Sequence, residues 1–395
     1  VRRATAAVAA VFVLSGFAFA SWASRIPQVR DALGLSTGEL GLVLLAIALG
    51  SVTAMPLSGL VVARLGTART VALTALVAAA GLAATGLGYR VGVVPVVAGL
   101  FALGVGNGTW DVAMNVEGSA VERARRRAIM PRLHAGFSLG TVAGALLGAA
   151  MVAVEVSVAV HLVAVAVIVA VAGPLAVRGF LPGAGPPPPG GRRRNPLRAW
   201  TERRTLLIGA FVFAAAFTEG TGNDWLGVAV IDGYGADAAL GALTFAVFLA
   251  AMTLGRWFGP ALIDRHGRVP VVRVLGALAL AGLALVVWGG VLAVAVAGAG
   301  LWGLGTALGF PAGMSAAGDD PAHAAARVSV VATIGYLAFL AGPPLIGALG
   351  ARTGTLHALT LTGGLVALGL LVSGVLRPTA DPGSGGDRGR EAAAG

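Results

Sequence analysis

Apolar residues run along the chain in blocks of about 20, each closed by arginine, proline or glycine clusters and nearly free of charge inside. At 1.5 Å per residue, a helix of that length crosses a hydrocarbon core about 30 Å thick. The blocks predict helices over 4–24, 40–62, 69–89, 92–116, 134–154 and 156–177, then over 205–230, 239–262, 270–290, 292–316, 327–350 and 356–376. Between the two sets, 179–204 holds four consecutive prolines and Arg192-Arg193-Arg194. Pro and Gly break helices and clustered arginines resist insertion, so this stretch reads as an exposed cytoplasmic linker. It joins a first six-helix bundle, 1–178, to a second, 205–377, and 378–395 reads as a disordered cytoplasmic tail. The expected fold class is an all-α integral membrane protein with about twelve transmembrane helices.

Composition agrees with this pattern. Of 395 residues 57% are hydrophobic and 11% charged, and the mean hydropathy is +0.88; a soluble domain carries about 25% charge. The net charge of +11 raises nucleic acid binding, but in so apolar a chain basic residues mark membrane orientation instead. All 28 basic residues are arginine, and only Arg25, Arg30, Arg90 and Arg352 fall in the odd-numbered gaps, leaving 24 on the other side. That asymmetry predicts an even helix count with both termini in the cytoplasm of a bacterial cell, and so a multi-pass plasma-membrane protein. The first block runs past the length of a signal-peptide core and ends in Ser21-Trp22-Ala23-Ser24-Arg25, so it is kept as the first span. With no cysteine, disulfides, thiolate metal sites and cysteine nucleophiles are excluded.

A shift of about 200 residues superposes features of the two halves. Leu40-Gly41 falls on Leu240-Gly241, Met114 on Met314 and Gly136 near Gly335, while Ala63-Arg64-Leu65-Gly66 falls one residue out of step on Asp264-Arg265-His266-Gly267. One offset held across most of a half is expected of two bundles related by an axis along the membrane normal.

In helix number, repeat and central linker the chain resembles the major facilitator superfamily over nearly its whole length. That family carries G-x-x-x-D-R-x-G-R in the loop after the second helix of each half, and Asp264-Arg265-His266-Gly267-Arg268 stands in place in the second half. The first half keeps Gly59, Arg64 and Gly66 but has Ala63 for the Asp and Thr67 for the last Arg, with Arg69 two positions on. The resemblance implies gate latches at these loops, with the weight on Asp264 and Arg268; the plainer reading is two positive-inside anchors. Further stretches are similar to a less characterised bacterial branch near the sugar permeases: Ser21 to Pro27, Asn107 to Asn115, Leu133 to Ser138 and Glu219 to Trp225. The resemblance implies that the first, fourth, seventh and tenth helices line a central cavity.

Within the spans, Asn107, Asp111 and Asn115 recur every four residues and share one face of the fourth helix. A charge at the bilayer centre costs roughly 2.5 to 3.5 kcal/mol, so Asp111 should face a cavity or a partner. The stripe reads either as a substrate site or as glue between helices. Trp110 and Met114 share an adjacent face; an indole can stack on a sugar, although packing explains both. On the seventh helix Glu219 and Asn223 lie one turn apart, with Asp224 and Trp225 beside them, in the half of the span nearer the outer surface. Gly220 and Gly222 are expected to loosen this helix. Glu219 is the first candidate for a coupling carboxylate that binds and releases a proton as water access alternates, and Asp224 is expected to cap or to pair with Arg25. Arg256 is expected to pair with a loop carboxylate, and Gly342-Pro343-Pro344 to kink the eleventh span.

No phosphate loop in a strand–turn–helix context, no metal-ligand spacing and no nucleophile beside a base is present, so neither an enzyme nor a cofactor is predicted. The resulting expectation is a secondary transporter moving a small polar, possibly sugar-like solute by alternating access with protons as the coupling ion. Drug or metabolite efflux on the same fold is the alternative, and a receptor or scaffold that has lost the transport cycle is another. The expected partners are the solute, protons and lipid; nucleic acid is not one, and no oligomer is required.

Overall fold

A computed structural model describes residues 1–126, 129–182, 196–320 and 323–378. The four prolines and the arginine triplet of the linker, and the tail from 379 on, lie outside the described residues. The described chain is helical and without strands: α1 (Arg2–Ala23), α2 (Ile26–Leu33), α3 (Thr37–Gly88), α4 (Val93–Arg125), α5 (Met130–Ala153) and α6 (Val158–Ala176), then α7 (Arg203–Tyr234), α8 (Ala238–His266), α9 (Arg268–Trp288), α10 (Leu292–Thr306), α11 (Gly309–Ala317), α12 (Ala324–Thr353), α13 (Thr355–Ala358) and α14 (Thr360–Val372). Among the described residues eleven helical segments are long and apolar enough to cross a membrane, and one of them, α3, has 52 residues. At 1.5 Å per residue, α3 is more than twice the length a bilayer needs. It breaks at Gly66, whose φ of 77° and ψ of 164° lie outside the helical region, and each arm is one span.

The repeat appears in the backbone with a period of 201 residues. Left-handed Gly34 and Gly235 end α2 and α7, each with φ 63°. Two residues later Ser36 and Asp237 cap the next helix, Ser36 through a reciprocal box with Glu39 and Asp237 by accepting from Leu240 N at 2.8 Å. Gly66 and Gly267 then turn the chain with nearly the same dihedrals, φ 77° and ψ 164° against φ 81° and ψ 161°. Only glycine takes such a conformation without a Cβ penalty. The register of 201 sharpens the shift of about 200: Arg64-Leu65-Gly66 is in step with Arg265-His266-Gly267, while the matches at Leu40-Gly41, Met114 and Gly136 are out of step with it.

Helices approach closely along seams of small residues, as in membranes, where burial of apolar surface from water does not drive association. Gly16 and Gly140 let α1 meet the α5 backbone, while Gly81 with Gly99 and Gly282 with Gly298 do the same for the third and fourth spans of each half. One expected feature differs. The tenth span is two helices, α10 and α11, with a break at Ala307 and Leu308. The eleventh, α12, holds Pro343 and Pro344 inside one helix that reaches Thr353. In the seventh, α7, the two glycines make room for rings: Gly220 faces Phe339 of α12, and Gly222 faces Phe248 of α8.

At the arginine-poor end the halves are joined. Arg30 holds both oxygens of Asp232 at 2.7 Å, Gly41 lies against Pro343 and Gly347, and Gly38 lies near Ala351. Deeper in, Thr253 of α8 donates to the carbonyl of Ser138 in α5 at 3.4 Å. Among the described residues no hydrogen bond or ion pair joins the halves at the arginine-rich end.

Candidate functional site

Between the halves lies a cavity of about 160 Å³, walled by Phe19 of α1, Ser51 and apolar residues of α3, Asn107 of α4, Asn223 and Asp224 of α7, and Tyr336 and Phe339 of α12. Asn107 is held by Ser15, whose hydroxyl donates to its Oδ1 at 3.0 Å. The buried Oδ1 of Asn223 has no partner among the described residues. Asp224 likewise has neither a hydrogen bond nor an ion pair among them, and it also borders a narrow pocket reaching Pro27 and Phe245 toward the arginine-poor end. The expected pairing with Arg25 is not made. Arg25 is buried and turns the other way, donating from Nε to Nδ1 of His161 at 2.8 Å.

The polar stripe of α4 is divided. Asn107 faces the central cavity, whereas Asp111 and Asn115 line a wider cleft of about 490 Å³ with Ser119 and Arg123, at the arginine-rich end. Asn115 Nδ2 donates to the Asp111 main-chain oxygen at 2.8 Å and to its carboxylate at 3.2 Å, which fixes the acid on its own helix. Asn107 and Asp111 lie one turn apart on α4, so the two cavities are neighbours along that helix. Trp110 is fully buried, and its ring packs in the core instead of facing either cavity.

Glu219 stands near the middle of the longer α7, and its Oε1 accepts from Arg256 of α8 at 2.7 Å. The expected loop carboxylate is therefore replaced by a carboxylate inside the bundle. Both side chains are partly buried, at 16% and 22% exposure for Glu219 and Arg256. Arg256 also reaches the carbonyl of Ala307 at 3.4 Å, an oxygen at the break between α10 and α11. His134 of α5, edge-on to Phe12, lies within electrostatic reach of Arg256 from the first half.

The loops after the second span of each half are built differently from expectation. Asp264 is exposed and without a hydrogen bond or ion pair among the described residues, and Gly59, Arg64 and Arg265 are exposed too. The contact comes from the residue after each turn glycine. Arg268 donates to Asp319 Oδ1 at 2.7 Å, and Arg204 reaches Oδ2 at 3.2 Å. Thr67 donates to Glu117 Oε2 at 2.6 Å, and Oε1 of that fully buried acid accepts from Leu181 N at 2.7 Å. Glu117, Arg256 and Tyr336 were not among the expected site residues. Glu117 lies just past the expected end of the fourth span, and a tyrosine inside an otherwise apolar span was a signal for Tyr336. The roomy cleft among Phe211, Val272, Leu275 and Val366 is apolar and holds none of the ionisable groups.

A two-half bundle of membrane-crossing helices around a central cavity is the architecture of a polytopic transporter. The family model of the Major Facilitator Superfamily matches residues 8–333 and 212–394, and the chain belongs to that superfamily. It is 30% identical over 359 residues to a transporter of Sinorhizobium fredii, covering 87% of this chain and 90% of the relative. It is 31% identical over 363 residues to an MFS-type transporter of Yersinia pestis, covering 91% of each. Among solved structures it resembles the nucleoside transporter NupG, with TM-score 0.73 at 13% identity over 94% of this chain and 98% of that one. It also resembles the E. coli fucose:proton symporter FucP, with TM-score 0.66 at 15% identity over 95% and 98%. These likenesses show the fold. The chain is a multi-pass membrane protein and a secondary transporter of a small molecule, and not an enzyme.

Proposed function

We propose that this protein carries a small polar solute across the bacterial plasma membrane by alternating access, coupled to protons. Residues 1–178 and 205–377 rock as two bodies about the central cavity. The observation that carries the reading is the placement of Asn107 from one half and Asn223 and Asp224 from the other around one cavity, with Glu219–Arg256 one turn away. With the arginine-rich end and both termini in the cytoplasm, the joined end is external and the conformer opens inward.

Glu219 is the coupling group in this reading. A proton taken up by its carboxyl removes the charge that holds Arg256, and the freed guanidinium can turn to another acceptor as the bundles rock. The exchange of one ion pair for another is a two-state element biased by a proton. The test is uptake into proteoliposomes under an imposed pH gradient. Glu219→Gln should abolish proton-driven accumulation and leave exchange partly intact; unchanged accumulation would remove Glu219 from the mechanism. The walls of the cavity, with Phe19, Leu44, Ile47, Val52 and Phe339, favour a second reading, proton-driven efflux of an amphipathic metabolite or drug.

A further inference from the structure

One carboxylate at the central cavity is left without a partner among the described residues. The chain as a whole carries +11, yet each nearby cation is engaged elsewhere: Arg256 by Glu219, Arg30 by Asp232 and Arg25 by His161. Asp224 is left without a hydrogen-bond or ion-pair partner among the described residues, beside the unpartnered buried Oδ1 of Asn223. Asp111, in the neighbouring cleft, is a further carboxylate and has the amide of Asn115 as its side-chain donor. The remaining wall carries aromatic rings, Phe19 of α1 with Tyr336 and Phe339 of α12, the latter two with centroids 6.5 Å apart. A buried anion needs a counter-charge or a proton, and rings lining the same space attract a cation through their faces.

We infer that the central cavity takes an organic cation, a small solute bearing a protonated or quaternary amine, with Asp224 as its counter-ion. The inference rests on the transport reading only in assigning the bound cation as cargo; the binding itself is independent of flux. Asp224 and Asn223 Oδ1 offer acceptors to an ammonium or to the hydroxyls beside it, and Asn107 on the opposite half offers its amide to the rest of the solute. A neutral polyol of the same shape would leave the carboxylate unpaired and so bind more weakly.

The experiment uses matched solutes on the purified full chain in detergent: choline against 3,3-dimethylbutan-1-ol, and glucosamine against glucose and N-acetylglucosamine. Binding is followed by thermal stabilisation and titration calorimetry up to tens of millimolar. At least one cation should bind tenfold or more tightly than its neutral counterpart. Asp224→Asn should remove that preference, and Asp224→Glu should keep most of it; the wild-type pairs decide the matter if a variant fails to fold. Equal binding of charged and neutral members, an undiminished preference in a folded Asp224→Asn, or no binding by either cation would overturn the inference. Uptake of the bound cation into proteoliposomes separates the two readings: binding without flux leaves the cation site standing and removes the transport reading. Flux of a neutral solute without any cation preference does the reverse.

Discussion

The loops after the second span of each half share a backbone and differ in chemistry. Gly66 and Gly267 turn the chain through nearly identical dihedrals, and the next residue in each reaches a carboxylate at the far end of the fourth or tenth span. In the second half that contact is an ion pair, Arg268 to Asp319, with Arg204 on the other oxygen. The same end holds a further network of Glu202, Asp320, His323 and Arg327. In the first half a hydroxyl, Thr67, meets a fully buried Glu117 whose second oxygen takes a main-chain amide. A buried acid can be satisfied by donors without a positive charge. The first loop, without the motif Asp and Arg, therefore holds its carboxylate by hydrogen bonding where the second uses charge pairing.

The comparison makes graded predictions. The largest effect should come from Asp319→Ala, which removes the carboxylate shared by Arg268 and Arg204 and should cost about 3 kcal/mol, at the low end for a broken pair because both arginines keep some water and Arg204 keeps the Arg377 carbonyl. Thermal unfolding in detergent checks it. Glu117→Ala takes away the acceptor that Thr67 and the Leu181 amide share and should cost about 2 kcal/mol. If it costs less than Thr67→Val, expected at about 1 kcal/mol, the carboxylate is not what holds the first loop.

A pH series separates the halves further. The hydrogen bond from Arg327, at 2.6 Å, is the main cause holding Glu202 below the ordinary glutamate range. An acid whose folded pKa is lowered contributes stability above its unfolded pKa and loses it as pH falls through the folded value. Acidification below the usual glutamate range should therefore weaken the second half, and Glu202→Gln should remove that part of the pH dependence. An unchanged slope in the variant would show that the pair is screened by solvent. The smallest effect should be that of Asp264→Ala, within about 0.5 kcal/mol in this conformer because the side chain is exposed and makes no bond. A large effect on flux with none on stability would show that Asp264 acts only in the opposite conformer.

Much of the fold was legible because lipid imposes a simple rule: a span needs about 20 apolar residues, and arginines stay on one side. Thus the twelve-span pattern needed no tertiary information, and even the two turn glycines could be read from the repeat. The site was legible only in part. Spacing put Asn107, Asp111 and Asn115 on one face, but the face is shared between two cavities, and a helical wheel carries no account of where a neighbouring helix ends one cavity and begins another. Gly220 and Gly222 read as weak points of a helix, while the rings they make room for, Phe339 and Phe248, lie 119 and 26 residues away in sequence.

By itself, then, the sequence determined the class of protein, the membrane as its solvent, the twofold repeat and the list of ionisable groups inside it. Those follow from local hydropathy and from a cost per charge that does not depend on partners. The tertiary structure decided which groups meet: Arg256 and Glu219 as an ion pair, Arg30 and Asp232 as another, Arg25 and His161 by a hydrogen bond, and Asp224 with none among the described residues. Pairing is a matter of distances across helices, and Coulomb energies and hydrogen bonds fall off over a few ångströms. Only the packed bundle sets those distances.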